Sequence, residues 1–220
     1  LSIRRQRQMC IRDRREDLPL RIYRRNLPHW RQAGATYFAT FNLVDAIPVS
    51  RRSELRNLFL KLDSKRRRGL VDRDLESEIF RIRRRIEIDL DQGFGRAWLK
   101  DPFHGAAVAC ELLDHHNRSI DLGCFVVMPN HCHLVARPLG EQQIELILGA
   151  IKRKSAASIN RSFDRRGRLW EYESFERIVR DLEHLYQVVQ YIGANPRRAG
   201  RSPEECHRWI NPEWERLGWR

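Results

Sequence analysis

Four residues in two short stretches have the types and spacing for metal-assisted chemistry on a phosphate. His131 and His133 flank Cys132 at the start of an apolar run, and Tyr191 stands four residues before Asn195. Side chains two apart on a strand share a face, so both imidazoles stand side by side while Cys132 points away. That is a two-nitrogen grip on a metal ion, presented at a strand end. Residues four apart on a helix also share a face, which pairs the Tyr191 hydroxyl with the Asn195 carboxamide. A phenol is a poor nucleophile at its ordinary pKa of about 10, so an electrophile must be held in line and its developing charge neutralised. A divalent ion held by His131, His133 and the Asn195 oxygen would polarise a phosphate oxygen. The set suits transesterification of a phosphodiester to tyrosine. Each piece also has an ordinary reading: polar residues on a solvated strand face, an interfacial tyrosine, an asparagine at a helix stop.

The elements that must position these groups are legible from pattern. Cys124–Met128 and Cys132–Ala136 are apolar runs around Pro129-Asn130 and read as neighbouring antiparallel strands, the first extending over Ile120–Met128. An earlier strand lies within Ala35–Val44, and a fourth is placed near 175–179. Helices are expected over Ser53–Lys65, with Ser53 as cap, over Asp72–Leu90, and over Phe103–His115. Glu141–Asn160 reads as an amphipathic helix with Ile144, Ile147, Leu148, Ile151 and Ile159 on one face. The last clear helix begins at Asp181, carries Leu182, Leu185, Val189 and Ile192 as its apolar stripe, and is expected to stop at Asn195-Pro196. If that stripe packs on the sheet, the Tyr191–Asn195 edge overhangs the histidine strand. His184 is read as a surface residue, and the Trp-rich tail receives no assignment.

The 220 residues carry 42 Lys plus Arg against 29 Asp plus Glu, a net charge of +13 that points to a polyanion partner. Nucleic acid fits better than membrane, because no stretch approaches the roughly 18 apolar residues a span needs. Lys152, Arg153 and Lys154 are expected to meet phosphates, at least two of them free to do so; the ordinary reading is a solvated helix face. The five cysteines lack paired spacing and read as reduced thiols, which with the absence of a visible secretory signal suggests a cytoplasmic protein. Residues 1–14 carry no helix or strand period and resemble translated adapter read-through. The organisation expected is a basic tail over 1–19, disordered or artefactual, one domain over 20–200 and a C-terminal tail over 201–220.

The string Val126-Val-Met-Pro-Asn-His-Cys-His-Leu-Val135 resembles the HUH motif (His, hydrophobic, His) of the single-tyrosine transposases. Tyr191-Ile-Gly-Ala-Asn195-Pro-Arg-Arg-Ala-Gly200 is similar to their tyrosine-helix signature, in particular that of the REP-associated tyrosine transposases. Leu27-Pro-His-Trp30, Trp98-Leu-Lys-Asp-Pro102 and Arg177-Ile-Val-Arg-Asp181 follow the family in order, so the resemblance covers roughly 20–200. It implies an α+β, ferredoxin-like fold: an antiparallel sheet with helices packed on it, here with a helical insertion after the first strand. It implies single-stranded DNA cleavage and joining through a 5′-phosphotyrosine, with Tyr191 as nucleophile and Mg²⁺ or Mn²⁺ held by His131, His133 and Asn195. It also implies hairpin DNA as partner; the oligomeric state, monomer or homodimer, is left open. Cys132 stands where a branched aliphatic is usual, and Arg201-Ser-Pro replaces an apolar pair after Gly200. Two other readings compete: a hairpin-binding descendant without chemistry, and a metal-dependent hydrolase in which Tyr191 only packs.

Overall fold

The computed structural model describes residues 21–24, 28–68 and 73–219. The reading of residues 1–19 as a tail lies outside them. A small hairpin, β1 (Arg21–Arg24) and β2 (Pro28–Arg31), precedes the main sheet. That sheet has five strands: β3 (Tyr37–Asn42), β4 (Ile120–Val127), β5 (His131–Pro138), β6 (Phe175–Ile178) and β7 (His207–Ile210). Their spatial order is β6-β3-β5-β4-β7 and every pair is antiparallel. The first four strands alone, taken in chain order, lie as fourth-first-third-second, which is the ferredoxin-like arrangement. The α+β expectation is borne out, and β7 extends the sheet beyond it.

Among the described residues six α-helices accompany the sheet. The insertion after β3 consists of α1 (Val49–Arg67) and α2 (Arg73–Asp91), followed by α3 (Pro102–His115). Helix α4 (Ile144–Ser162) connects β5 to β6, α5 (Leu182–Arg198) follows β6, and a short α6 (Pro212–Arg216) follows β7. One sheet face, with Tyr37, Ala39, Phe41, Cys132, Leu134, Phe125 and Val127, packs against α3, α4 and the Ile82-Ile86-Leu90 stripe of α2. The opposite face, with Phe38, Val126 and Val135, packs against Leu185, Val188, Val189 and Ile192 of α5 and against Trp219 of the tail. Alternation on the strands decides which residue goes where. Among the described residues no helix is long and apolar enough to cross a membrane.

Three boundaries differ from the pattern-based expectation. Helix α1 starts at Val49, a turn before Ser53, and the Ser53 hydroxyl donates back to the Val49 carbonyl at 3.1 Å as an interior residue does. Helix α5 passes through Pro196, although a proline there lacks the N–H for a helical bond and its ring crowds the carbonyl four residues back. What ends α5 is Gly200 at φ 64°: its N–H bonds the Arg197 carbonyl at 3.1 Å and the next N–H, of Arg201, bonds Pro196 at 2.8 Å. That is a Schellman closure, and burial of Asn195 and Pro196 holds the pre-proline residue helical against its local preference. Finally, the unassigned tail supplies the edge strand β7 and two Trp side chains of the second core. A Cβ at Gly123 would overlap the Trp214 ring, so the bulge in β4 is where the tail seats.

Candidate active site

The β4–β5 turn is built on Pro129-Asn130, with the Met128 N–H bonding the His131 carbonyl at 2.8 Å. Its carbonyls are also used: Leu99 donates to Pro129 and Leu43 to Asn130. Immediately after it, His131 and His133 open β5, opposite Asn42 and Thr40 of β3. Both imidazoles are fully buried on the α5 side of the sheet, and their Nε2 atoms are 3.0 Å apart. Cys132, opposite Phe41, points into the other core. Burial pushes His131 down to about 3 and His133 well below the usual histidine range, so both rings are neutral at neutral pH.

Neighbouring side chains fix the proton positions on these neutral rings. The Asn130 carboxamide nitrogen donates to the carbonyls of Leu90 and Phe94 at 3.3 and 3.2 Å, which turns its oxygen toward His131 Nδ1 at 2.7 Å. His131 therefore carries its proton on Nδ1 and presents a lone pair at Nε2. His133 Nδ1 faces the Thr40 hydroxyl at 2.7 Å. A hydroxyl can donate or accept, so His133 is able to direct either a proton or a lone pair at Nε2.

The hydroxyl of Tyr191 lies 3.4 Å from His133 Nε2, and the phenol ring stands edge-on to both His133 and Phe38. The half-buried phenol is pushed above its ordinary pKa by burial first, then by the carboxylates of Glu87 and Asp91. Arg198 and Asn195 oppose that shift, and the Arg198 guanidinium lies 4.8 Å from the ring centre. Asn195 is fully buried; its amide nitrogen donates to Asp91 at 3.4 Å, and Arg198 pairs with the same carboxylate at 3.7 Å. Its oxygen Oδ1 is buried without a hydrogen-bond partner.

That orphaned oxygen decides whether the residues fit a metal. Two ligand atoms on one Mg²⁺ or Mn²⁺-sized ion lie roughly 3 Å apart, the spacing of the two Nε2 atoms. An unpaired buried carboxamide oxygen is costly unless something binds it, and Asn195 lies close enough to His131 to oppose in part the downward push of burial on that ring. The His131, His133 and Asn195 side chains fit a divalent cation. No cluster of three His, Cys, Asp or Glu side chains suited to a metal occurs among the described residues.

Pattern reading overlooked Thr40, Asp91, Asn130 and Arg198: Thr40 and Asp91 stand 93 and 104 residues from His133 and Asn195, and nothing local announces them. Asn130, directly before His131, and Arg198, seven residues after Tyr191 on the same helix, did have a local signal. The three cations of α4 do not act as a group. Lys152 is 9 % exposed, and its ammonium donates to the carbonyls of Glu171 and Tyr172 and to the Ser174 hydroxyl at 3.0–3.1 Å. It is thereby turned inward, away from any phosphate. Lys154 reaches Glu111 and Asp114 at 3.6 and 3.8 Å, while Arg153 is exposed. His184, expected at the surface, is buried at the start of α5 and accepts from the Arg180 N–H at 3.1 Å.

Residues 107–195 match the family model described as "Transposase IS200 like", a span that holds His131, His133, Tyr191 and Asn195. Over this span the chain is similar to that family, and the resemblance drawn from its motifs is borne out. Among solved structures it is similar to a REP-associated tyrosine transposase bound to a REP hairpin, at 18 % identity and a TM-score of 0.42, over 82 % of this chain and 74 % of that one. No protein of curated function matches the chain.

Proposed function

We propose that this protein cleaves and joins single-stranded DNA through Tyr191, with a divalent cation, Mg²⁺ or Mn²⁺, at His131, His133 and Asn195, and that its substrates are hairpin-forming repeats. The observation that carries this reading is the convergence of the Tyr191 hydroxyl on His133 Nε2 beside the unpartnered oxygen of Asn195. A bare packing role for Tyr191 gives no reason for an uncompensated buried oxygen at its side. The match of residues 107–195 to a transposase family supports the same reading.

The chemistry follows from the placement. A bound divalent cation would supply Lewis-acid polarisation of the scissile phosphate. Tyr191 Oη gives up its proton to solvent and forms the bond to phosphorus, the bond from phosphorus to the 3′-oxygen breaks, and that oxygen leaves as a 3′-hydroxyl after taking a proton back from solvent. Arg198, on the face of the Tyr191 ring, offsets the negative charge that the phenol gathers as it loses its proton. Asn130 and Thr40 hold the two imidazoles so that their Nε2 atoms stay aimed at one point.

Incubation with a labelled hairpin oligonucleotide and Mn²⁺, followed by denaturing electrophoresis, tests this directly. Wild type is expected to carry label with the protein; Tyr191→Phe is expected to bind DNA yet form no adduct. Chelation should abolish the adduct and leave the protein folded. An adduct that persists in Tyr191→Phe, or one lost only in a Tyr172→Phe or Tyr186→Phe control, overturns the assignment.

A further inference from the structure

Helix α2 carries two stripes, only one of which the fold explains. Ile82, Ile86 and Leu90 are buried in the core. Phe80, Arg84 and Ile88, spaced four apart on another side, are not; Phe80 is 57 % and Ile88 47 % exposed. That second stripe forms one wall of a cavity of about 350 Å³, within the size range of small-ligand pockets. Phe38 and Thr40 of β3, Phe175 and Arg177 of β6, and Tyr191 and Arg198 of α5 form the others. Tyr191 thus lines the cavity, and Thr40 belongs both to its lining and to the support of His133.

Its chemistry is that of a base-binding slot. Three aromatic rings, Phe38, Phe80 and Phe175, offer faces or edges, three guanidinium groups, of Arg84, Arg177 and Arg198, surround them, and the carboxylates of Glu87 and Glu176 stand among these cations. The Arg177 guanidinium lies 5.9 Å from the Phe38 ring centre, and its Nε is buried without a hydrogen-bond partner. A partly buried cation with an unused donor over an aromatic floor suits a flat, electron-rich ligand with acceptor atoms on its edge, attached to an anion. An aliphatic peptide side chain would leave the Arg177 donor unpaired.

We infer that this cavity receives the unpaired nucleobase next to the phosphate that Tyr191 attacks, with Phe80 as its stacking wall and Arg177 as donor to its edge. The inference rests on the proposed DNA-cleaving function for the identity of the phosphate. The Phe80-Arg84-Ile88 stripe then makes the helical insertion part of substrate selection, over and above its packing on the sheet.

The test uses the full chain as Tyr191→Phe, which binds without cutting, and hairpin oligonucleotides with single-stranded flanks carrying 2-aminopurine at one position at a time. One flank position is expected to be quenched several-fold on binding. Phe80→Ala should abolish that quench and weaken binding roughly 5- to 150-fold, the range for losing one base–aromatic stack. Phe80→Trp should restore both. An abasic nucleotide at the quenched position should cost the Phe80-containing protein the same factor and cost Phe80→Ala nothing further. Phe80 is exposed, so these variants fold; equal binding by Phe80→Ala, or additive losses in the double change, overturns the inference. Adduct formation by the Tyr191-containing protein reads the cleavage function separately. An adduct with no quench dependent on Phe80 sinks the base slot alone; that quench with no adduct sinks the cleavage function alone, and absence of DNA binding sinks both.

Discussion

Asn130 does more at this site than its place in a tight turn suggests. Its two amide hydrogens bind carbonyls at the end of α2 and in the loop after it, and its oxygen fixes His131. Asn130→Ala is therefore expected to weaken Mn²⁺ binding about 10- to 100-fold by titration calorimetry, the scale of a lost outer-sphere partner. Asn130→Asp keeps the acceptor and should retain more of that affinity, and adduct formation by Asn130→Ala should recover at high Mn²⁺. Equal affinities for all three proteins would show that the turn is structural only. His184 gives a second test at this scale. Burial first, then Arg177 and Arg180, push it down to about 4, below the value of about 6.5 in the unfolded chain. The unfolded state then binds the extra proton between those values, so stability is lost as pH falls from 6.5 toward 4, by on the order of 2–3 kcal/mol. His184→Gln should show a shallower fall in its urea midpoint between about pH 7 and about pH 4.5. Parallel curves for the two proteins would remove His184 from the account.

At the scale of elements, α4 separates charge that holds the fold from charge that meets solvent. Lys152 ties α4 to the segment entering β6 through three acceptors, with its ammonium pushed down to about 8 chiefly by burial. Lys152→Ala is expected to cost about 1–3 kcal/mol in chemical denaturation, since it leaves buried acceptors unpaired. It should leave the salt dependence of single-stranded DNA binding unchanged. Arg153→Ala should do the reverse, keeping stability while lowering the salt slope by about 0.7. An unchanged slope in Arg153→Ala would mean that this residue only solvates the helix. On α2 the inward stripe belongs to the core and, through Ile86 and Leu90, also reaches the cavity beside Tyr191, which the second stripe lines with Phe80, Arg84 and Ile88.

For the whole molecule, the tail completes a core that the four-strand arrangement leaves half covered. Strand β7 pairs with β4 from Cys124 to Val127, and Trp219 is buried with Phe38, Val126 and the α5 stripe. Helix α5 thus stays on the sheet with the tail packed against it, and α5 carries Tyr191 and Asn195 to the histidines. Trp219→Ala is expected to cost about 3 kcal/mol or more. Because the cavity it leaves lies under α5, adduct formation should fall even at temperatures where the protein is still folded. A stability loss below about 1 kcal/mol in urea titration would show that the tail merely rests on the surface.

Local pattern decided much of this. Alternation alone put His131 and His133 on one face and Cys132 on the other, and helical spacing alone paired Tyr191 with Asn195. Apolar runs located β3, β4, β5, α4 and α5 to within a few residues, because each buries one side against a common core. Short-range chemistry was misjudged where a tertiary contact outweighed it: Pro196 did not stop α5, since burial of Asn195 and Pro196 and the Gly200 closure held the last turn. Sequence could not say that Lys152 turns inward while Arg153 turns outward, as adjacent helical positions differ only in what stands opposite them. Nor could it bring Thr40 to His133, Asp91 to Asn195, or the Asn130 side chain to the end of α2. Those contacts join residues far apart in the chain, and their formation depends on sheet register and on where α2 and α5 dock, which no local periodicity encodes.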